Sequence, residues 1–467
     1  MSFDSLTYLI FLPVTAVLHR FCPHRYRWIL LLFASAVFYA SWNVPLTLLL
    51  YGVIGITYGA GLLLERTDDP GRKKAVLSAA LLIPAGLLLY FKYFRFLMDG
   101  LASLVRLLGG SGQWKLWDVL LPVGISFYTF QAMSYVIDVY RGQKAERHFG
   151  YYALYISFFP QLVAGPIERA DRLIPQLKVE RSVTVSDRRE ALGYLLTGFF
   201  QKIVLADFCG VFADRVYASP SPDGSAVLLG TLLFAFQIYC DFSGYSEIAR
   251  GSALLFGIRL MKNFDRPYLS PDIRTFWRRW HISLSGWLTD YVYIPLGGSR
   301  RGLPRRIVSI LTVFLLSGLW HGAGLTFAVW GLLHGIAVIF CVLLSRAGWD
   351  PAGTRIRQVI SCALTFFTVT LLWVFFRAET LTQAFGLFGR LFSAWDIGSG
   401  IRLLGIRWQD AVRLALSLAA LPLLPRLSGC KESGFGMKQV FLILVIVLAW
   451  WIRLDTQTAG AFIYFQF

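Results

Sequence analysis

The run SGLWHGAGLTFAVWGLLHG, residues 317–335, sets His321 inside an apolar stretch between Trp320 and the small residues Gly318, Gly322 and Gly324. An ionisable side chain there costs about 2–3 kcal/mol or more if it faces lipid, so His321 is expected to face a polar cavity. The glycines let backbones or a ligand approach closely and let a helix break. With small apolar neighbours and room for a substrate, His321 is the side chain best placed for general-base chemistry. The other reading of a lone intramembrane histidine is a hydrogen bond to a neighbouring helix, and the residues alone leave both open.

The chain has six histidines. His19, His24 and His148 stand in basic loops, where a solvated surface position is expected. His334, before Gly335, suits an interhelical hydrogen bond. If residues 320–335 form one helix, His321 and His334 lie roughly 20 Å apart and cannot share a reactive centre. His281, among aromatic and arginine residues in FWRRWHISLSGW, is a candidate to orient a substrate or to pack at an interface. Arg278 and Arg279 beside it, and the arginines of 300–306, would attract the phosphates of an anionic donor, although topology explains the same charges.

Two further polar rows stand out. Gln131, Ser134, Asp138 and Arg141 share one helical face, as do Gln237, Asp241 and Tyr245, and such rows at membrane depth face protein or water. Asp138 and Arg141 also suit the membrane interface. Asp241, deeper in its apolar run, is expected either to orient the His321 imidazole or to bond two helices, with Leu233 on the outward face of the same helix. No GxSxG elbow, Walker A or GxGxxG element is present, and the histidines and carboxylates lack metal-ligand spacing, so no metal site is expected.

These residues are carried by membrane spans. Hydrophobic residues make up 56% of the 467, charged ones 15%, and the mean hydropathy is +0.58, which describes a polytopic membrane protein. A net charge of +18 would suggest nucleic acid in a soluble chain. Here Lys and Arg gather in short loops, so the charge reads as topology, the partner is membrane lipid, and no nucleic acid is expected. The six cysteines are scattered, and no cleavable signal is expected at the first apolar run.

Hydropathy places spans at 6–18, 28–41, 46–64, 75–90, 119–140, 193–207, 226–245, 307–320, 327–344, 357–376, 411–424 and 439–451. Interfacial stretches are expected at 91–108, 272–293 and 381–408. Pro160 and Gly165-Pro166 forbid a continuous helix over 151–175, so a broken or re-entrant segment is expected there. The total is about 11–13 transmembrane or re-entrant helices in a single all-α domain, residues 1–467. The basic loops 19–27 and 65–74 should be cytoplasmic, with the N-terminus outside.

Five motifs in order carry a resemblance: SFYTFQAMSYVIDVYRG (126–142), FFPQLVAGPI (158–167), QIYCDFSGYSEIA (237–249), FWRRWHISLSGWLTDYVYIPLGGSR (276–300) and WHG (320–322) followed by LLHG (332–335). Together they resemble the membrane-bound O-acyltransferase family, and within it the bacterial branch of alginate O-acetylation proteins, with teichoic-acid D-alanylation proteins as cousins. The resemblance covers the chain to about residue 377. It departs from the branch at Thr289, where an arginine is expected, and at Gly324, where alanine is common.

The resemblance implies a ring of transmembrane helices around a central tunnel, with His321 catalytic and His281 part of the site. The polar rows themselves, rather than the resemblance, suggest that Asp241, Gln237, Tyr245, Gln131 and Asp138, with Trp320, line such a tunnel, and that Arg278 and Arg279 meet the donor. The resemblance also implies a cytoplasmic thioester donor, acetyl-CoA or an acyl carrier, with no bound cofactor. The acceptor would be a periplasmic acyltransferase or an exopolysaccharide such as alginate, and the location the bacterial inner membrane. D-alanyl transfer to teichoic acid and a glycan flippase are the alternatives. A scaffold that only docks a periplasmic enzyme is a third.

Overall fold

The computed structural model describes residues 1–111, 120–163, 165–393 and 395–420. The span expected at 439–451 lies outside them, as does part of 411–424. Among the described residues the regular structure is helical throughout, without strands, as expected of an all-α membrane protein. Seven helices among the described residues are long and apolar enough to cross a membrane, and the chain is a multi-pass membrane protein. The remaining crossings expected from hydropathy fall on shorter helices or outside the described residues.

The described residues form two compact units, Met1–Val183 with Ser252–Leu260, and Thr184–Gly251 with the chain from Met261 onward. The first holds α1 Leu6–Phe21, α2 His24–Ala40, α3 Val44–Arg66, α4 Pro70–Leu88, α5 Phe94–Leu107, α6 Ile125–Tyr140, α7 Phe149–Ser157, α8 Phe159–Leu162 and α9 Ala170–Lys178. Side chains of Ser5, Asn43 and Asp69 accept backbone N–H groups at the starts of α1, α3 and α4, satisfying donors that a helix terminus leaves orphaned. A π turn, Leu89–Tyr93, joins α4 to α5 without a break, so the interfacial stretch expected after residue 90 continues the preceding helix. α5 itself buries no residue.

The broken segment appears where the prolines and glycine predict it. α7 ends at Ser157, and the Phe159 N–H turns to the Ser35 hydroxyl (3.1 Å) rather than to the Tyr155 carbonyl. That orphaned carbonyl is taken by two amides, Gln131 Nε2 at 2.6 Å and Gln161 Nε2 at 2.7 Å. A broken helix at membrane depth is tolerated only when its freed groups find such partners. His19, expected at a solvated surface, is instead buried with its ring edge-on to Phe256, 5.2 Å away, because α1 continues through it to Phe21.

The second unit holds α10 Val185–Phe199, α11 Asp207–Ala218, α12 Gly224–Leu254, α13 Ile273–Arg279, α14 Ile282–Leu288, α15 Gly302–His321, α16 Leu325–Arg346, α17 Arg355–Arg377, α18 Leu381–Ser393, α19 Ile397–Leu404 and α20 Trp408–Ala420. α10 starts on a capping box, with Thr184 and Asp187 each accepting the other's backbone N–H. It runs through a π turn, Phe200–Ala206, into α11, giving one helical stretch of 34 residues, longer than the hydropathy span because its first turns carry Arg188, Arg189 and Glu190.

Glycines set two close crossings in this unit. A Cβ on Gly198 would stand 2.5 Å from the Gly244 carbonyl, so α10 meets α12 backbone to backbone. Likewise a Cβ on Gly331 would stand 2.2 Å from the Phe314 carbonyl and one on Gly318 2.2 Å from the Phe327 carbonyl, which presses α15 against α16. Small residues permit this approach, and dispersion between the backbones then holds the pair together where the hydrophobic effect cannot.

Candidate active site

The first site residue is positioned by a helix end. α15 stops at His321, and the extended residues Gly322 and Gly324 on either side of Ala323 turn the chain into α16. The two spans expected at 307–320 and 327–344 are thus the arms of a hairpin, so the condition of one helix over 320–335 is not met and the 20 Å separation of His321 from His334 does not apply. Both rings touch Trp330, His321 at 5.2 Å and His334 at 4.9 Å between centroids. His334 Nδ1 accepts from Trp277 Nε1 at 3.3 Å, the interhelical bond that its setting suggested.

His281 stands in the turn between α13 and α14 with φ 44° and ψ 55°. Left-handed backbone is uncommon for a non-glycine residue, and strain of this kind gathers at functional sites. Its ring lies edge-on to Phe242 (4.6 Å), 5.6 Å from Trp320 and 6.4 Å from His321. Trp320 in turn is 4.9 Å from His321. His281, Trp320 and His321 are thus brought together, all buried. Phe376, 5.4 Å from His321, and Trp373, stacked on Trp330 at 5.5 Å, extend an aromatic wall behind them. Burial pushes the His281 imidazole down to about 3, so it stays neutral across the physiological range.

The α12 row takes another direction. Asp241 Oδ1 is 2.8 Å from Lys202 Nζ, and Lys202 also binds Asp207 Oδ1 at 2.7 Å, all three side chains being nearly inaccessible. Tyr245 lies beneath the same ammonium, 5.7 Å from its ring centroid. Gln237 packs at Gly210 of α11, where a Cβ would come 2.7 Å from Nε2. The face of α12 that meets the histidines is one residue further round: Phe242 touches His281, and Ser246 accepts from Asn263. Asp241 therefore makes the ion pair of an interhelical contact, one of the two roles expected of it. Leu233, expected to face outward, is buried among Cys209, Phe212, Val216 and Leu404, because α11 and α19 cover that side of α12.

In the other unit, Gln131 is used in holding the Tyr155 carbonyl, and Asp138 is half-buried near the end of α6. Arg278 is exposed at the end of α13, while Arg279 Nη1 binds the Leu269 carbonyl at 3.0 Å. Sequence reasoning missed Lys202, although a lysine inside the span 193–207 was a visible signal. It also missed Asn263, which nothing in its neighbourhood distinguishes.

A buried pair of histidines in an aromatic enclosure suits proton transfer to and from a substrate shielded from water. The membrane-bound O-acyltransferase family model matches residues 146–382, the stretch that contains both histidines. The chain belongs to this family of O-acyltransferases. It is 37% identical to a probable alginate O-acetylase AlgI of Pseudomonas putida over the full length of both chains. The same-named protein of Pseudomonas aeruginosa is 40% identical over 85% of this chain and 76% of its own. A peptidoglycan O-acetyltransferase of Helicobacter pylori is 37% identical over 76% of this acyltransferase and 71% of its own length. Teichoic acid D-alanyltransferases are more distant.

Proposed function

We propose that this acyltransferase passes an acetyl group from a cytoplasmic thioester, acetyl-CoA or an acyl carrier, to a hydroxyl of an exopolysaccharide such as alginate. Transfer runs directly or through a periplasmic acyltransferase, and the protein acts in the bacterial inner membrane. The observation that carries the reading is the His281–His321 pair, 6.4 Å apart between ring centroids and closed in by Trp320. The names of the similar O-acetylases support acetyl over D-alanyl transfer.

In the reaction the acceptor oxygen forms a bond to the thioester carbonyl carbon and the C–S bond breaks. The imidazole pair takes the hydroxyl proton and returns one to the departing thiolate, a contribution of about 10²–10⁴ in rate. The aromatic wall keeps water from the acyl group. Arg278, exposed at the end of α13, would attract the donor's phosphates. The test is transfer from labelled acetyl-CoA by purified protein in detergent, with no ion gradient. His321→Ala should abolish it while leaving folded protein in the membrane, and wild-type acetylation by that variant would refute the mechanism.

A further inference from the structure

The turn from α1 into α2 borders a small cleft that lies wholly in the first unit. His19 lines it, 6% exposed, with its ring edge-on to Phe256 and its nitrogens without a hydrogen-bond partner among the described residues. His24 and Arg27 of α2 and Arg181, beyond the end of α9, line it too. The walls are held in place by their own bonds. His24 Nε2 donates to the Lys178 carbonyl at 3.1 Å, which ties α2 to the end of α9. Gln176 Oε1 accepts the Arg259 N–H at 2.8 Å and its Nε2 donates to the Arg259 carbonyl at 3.3 Å, which ties the segment of Phe256 to α9. A Cβ on Gly150 would collide with the Trp28 ring, so close packing on α7 fixes the indole that forms another side.

The cleft opens at the protein surface and holds about 30 Å³ of space, against the roughly 10–15 Å³ that one water needs. No carboxylate lines it. The nearby Glu146 is engaged by Lys178 at 2.5 Å. Arg27 spends only its Nε, on the Cys22 carbonyl at 3.1 Å, and its two terminal amino groups have no partner among the described residues. A guanidinium fork meets two oxygens of a phosphate at once. Donors brought from α1, α2 and the chain beyond α9 suit a tetrahedral oxyanion better than a planar carboxylate. An imidazole carries at least one N–H in either charge state, so His19 can supply one more donor, and an anion would give this buried side chain the partner it lacks.

We infer that this cleft binds a phosphate group at the membrane surface, carried by an anionic lipid of the cytoplasmic leaflet. The charge of the stretch 19–27 puts the turn on the cytoplasmic side, where basic pockets between membrane helices attract anionic headgroups. Phe21, 80% exposed at the end of α1, and Ile29, 45% exposed on α2, offer apolar surface to acyl chains on both helices that flank the turn. A soluble phosphate presents the same oxygens to Arg27 and His19 but leaves that surface uncovered. Binding here is independent of acetyl transfer, since both histidines of the candidate active site belong to the other unit.

The test is native mass spectrometry of the full-length protein in a maltoside detergent, titrated with dioctanoyl phosphatidylglycerol or dioctanoyl phosphatidylcholine. The two lipids share the phosphate and the chains and differ in net charge. Wild-type protein should hold the anionic lipid at least about tenfold more tightly, the effect of two arginines close to a headgroup. Arg27→Gln should weaken that binding by about tenfold or more, and His19→Leu by about fivefold. Arg25→Gln removes the same charge from an exposed side chain folded over Tyr26, outside the cleft, and should change the affinity by less than about twofold. Equal affinity for the two lipids, equal losses in Arg25→Gln and Arg27→Gln, or unchanged binding in His19→Leu overturns the assignment. Inorganic phosphate, followed by calorimetry in the same detergent, should bind at least about 10²-fold more weakly than phosphatidylglycerol because it buries no chain. Equal affinity would give the cleft to a soluble phosphate and overturn the lipid. If Arg27→Gln fails to accumulate, Arg27→Lys decides: it keeps the charge, loses the fork and should bind at least about threefold more weakly, and wild-type affinity in that variant overturns the site.

Discussion

Substituting Gly331 by alanine tests whether the α15–α16 crossing sets the histidine geometry. The added Cβ would stand 2.2 Å from the Phe314 carbonyl oxygen and 3.2 Å from the Gly318 Cα, against 3.4 Å for ordinary contact. Both obstacles are backbone, so no rotamer change relieves them and the helices must part by about 1 Å. Overpacking of this size costs about 1–3 kcal/mol. His321 is three residues beyond Gly318 on α15 and Trp330 adjoins Gly331 on α16, so the displacement falls on their 5.2 Å contact. A misplacement near 1 Å in a catalytic group costs about 10² in rate. Thermal unfolding in detergent and acetyl-transfer turnover are the assays. Gly389→Ala on α18, where a Cβ would meet nothing within 4 Å, is the control and should match or slightly exceed wild-type stability. Gly331→Ala protein with wild-type unfolding and turnover would refute the claim that backbone contact at the crossing positions His321.

Lys202→Met leaves the Asp207 and Asp241 carboxylates buried without their shared cation and should destabilise the protein by about 3–5 kcal/mol, read as a fall in melting temperature. Asp241→Asn, which keeps the Lys202–Asp207 pair, should be milder, and equal losses would show that the lysine is not the hub. Leu233→Ala should cost about 2–5 kcal/mol in the same measurement, since it empties space among Cys209, Phe212 and Val216. Cysteines placed at Arg20 and Lys74 should react with impermeant reagents only from the cytoplasmic side, and labelling of either from the periplasm would overturn the topology.

Hydropathy and the glycine-rich run around His321 were enough to read an all-α membrane protein and one of its two central histidines. The π turns at Leu89–Tyr93 and Phe200–Ala206 were not legible, because a helix that continues through a charged or interfacial stretch has no break for a hydropathy window to find. The row Gln237, Asp241 and Tyr245 was legible as a polar face but not as to what it faces. Its partner Lys202 lies on another helix, and helical periodicity carries no information about which neighbour a face meets. The hairpin at Gly322–Gly324 was foreshadowed by its glycines, yet the helical measure between His321 and His334 ignored them. Asn263 was invisible for a simpler reason: its Oδ1 contacts with Ser283 and His281 depend on a left-handed residue eighteen positions away.

The aromatic wall gives this acyltransferase an optical reporter of its own. The Trp320 and Trp330 rings stand 4.9 and 5.2 Å from the His321 imidazole, and Trp320 is 5.6 Å from His281. Indole emission responds to the charge and polarity of whatever lies against the ring. A substrate bound against those rings should therefore change the intrinsic fluorescence of the unlabelled protein, so that its arrival can be followed in time without modifying either reactant.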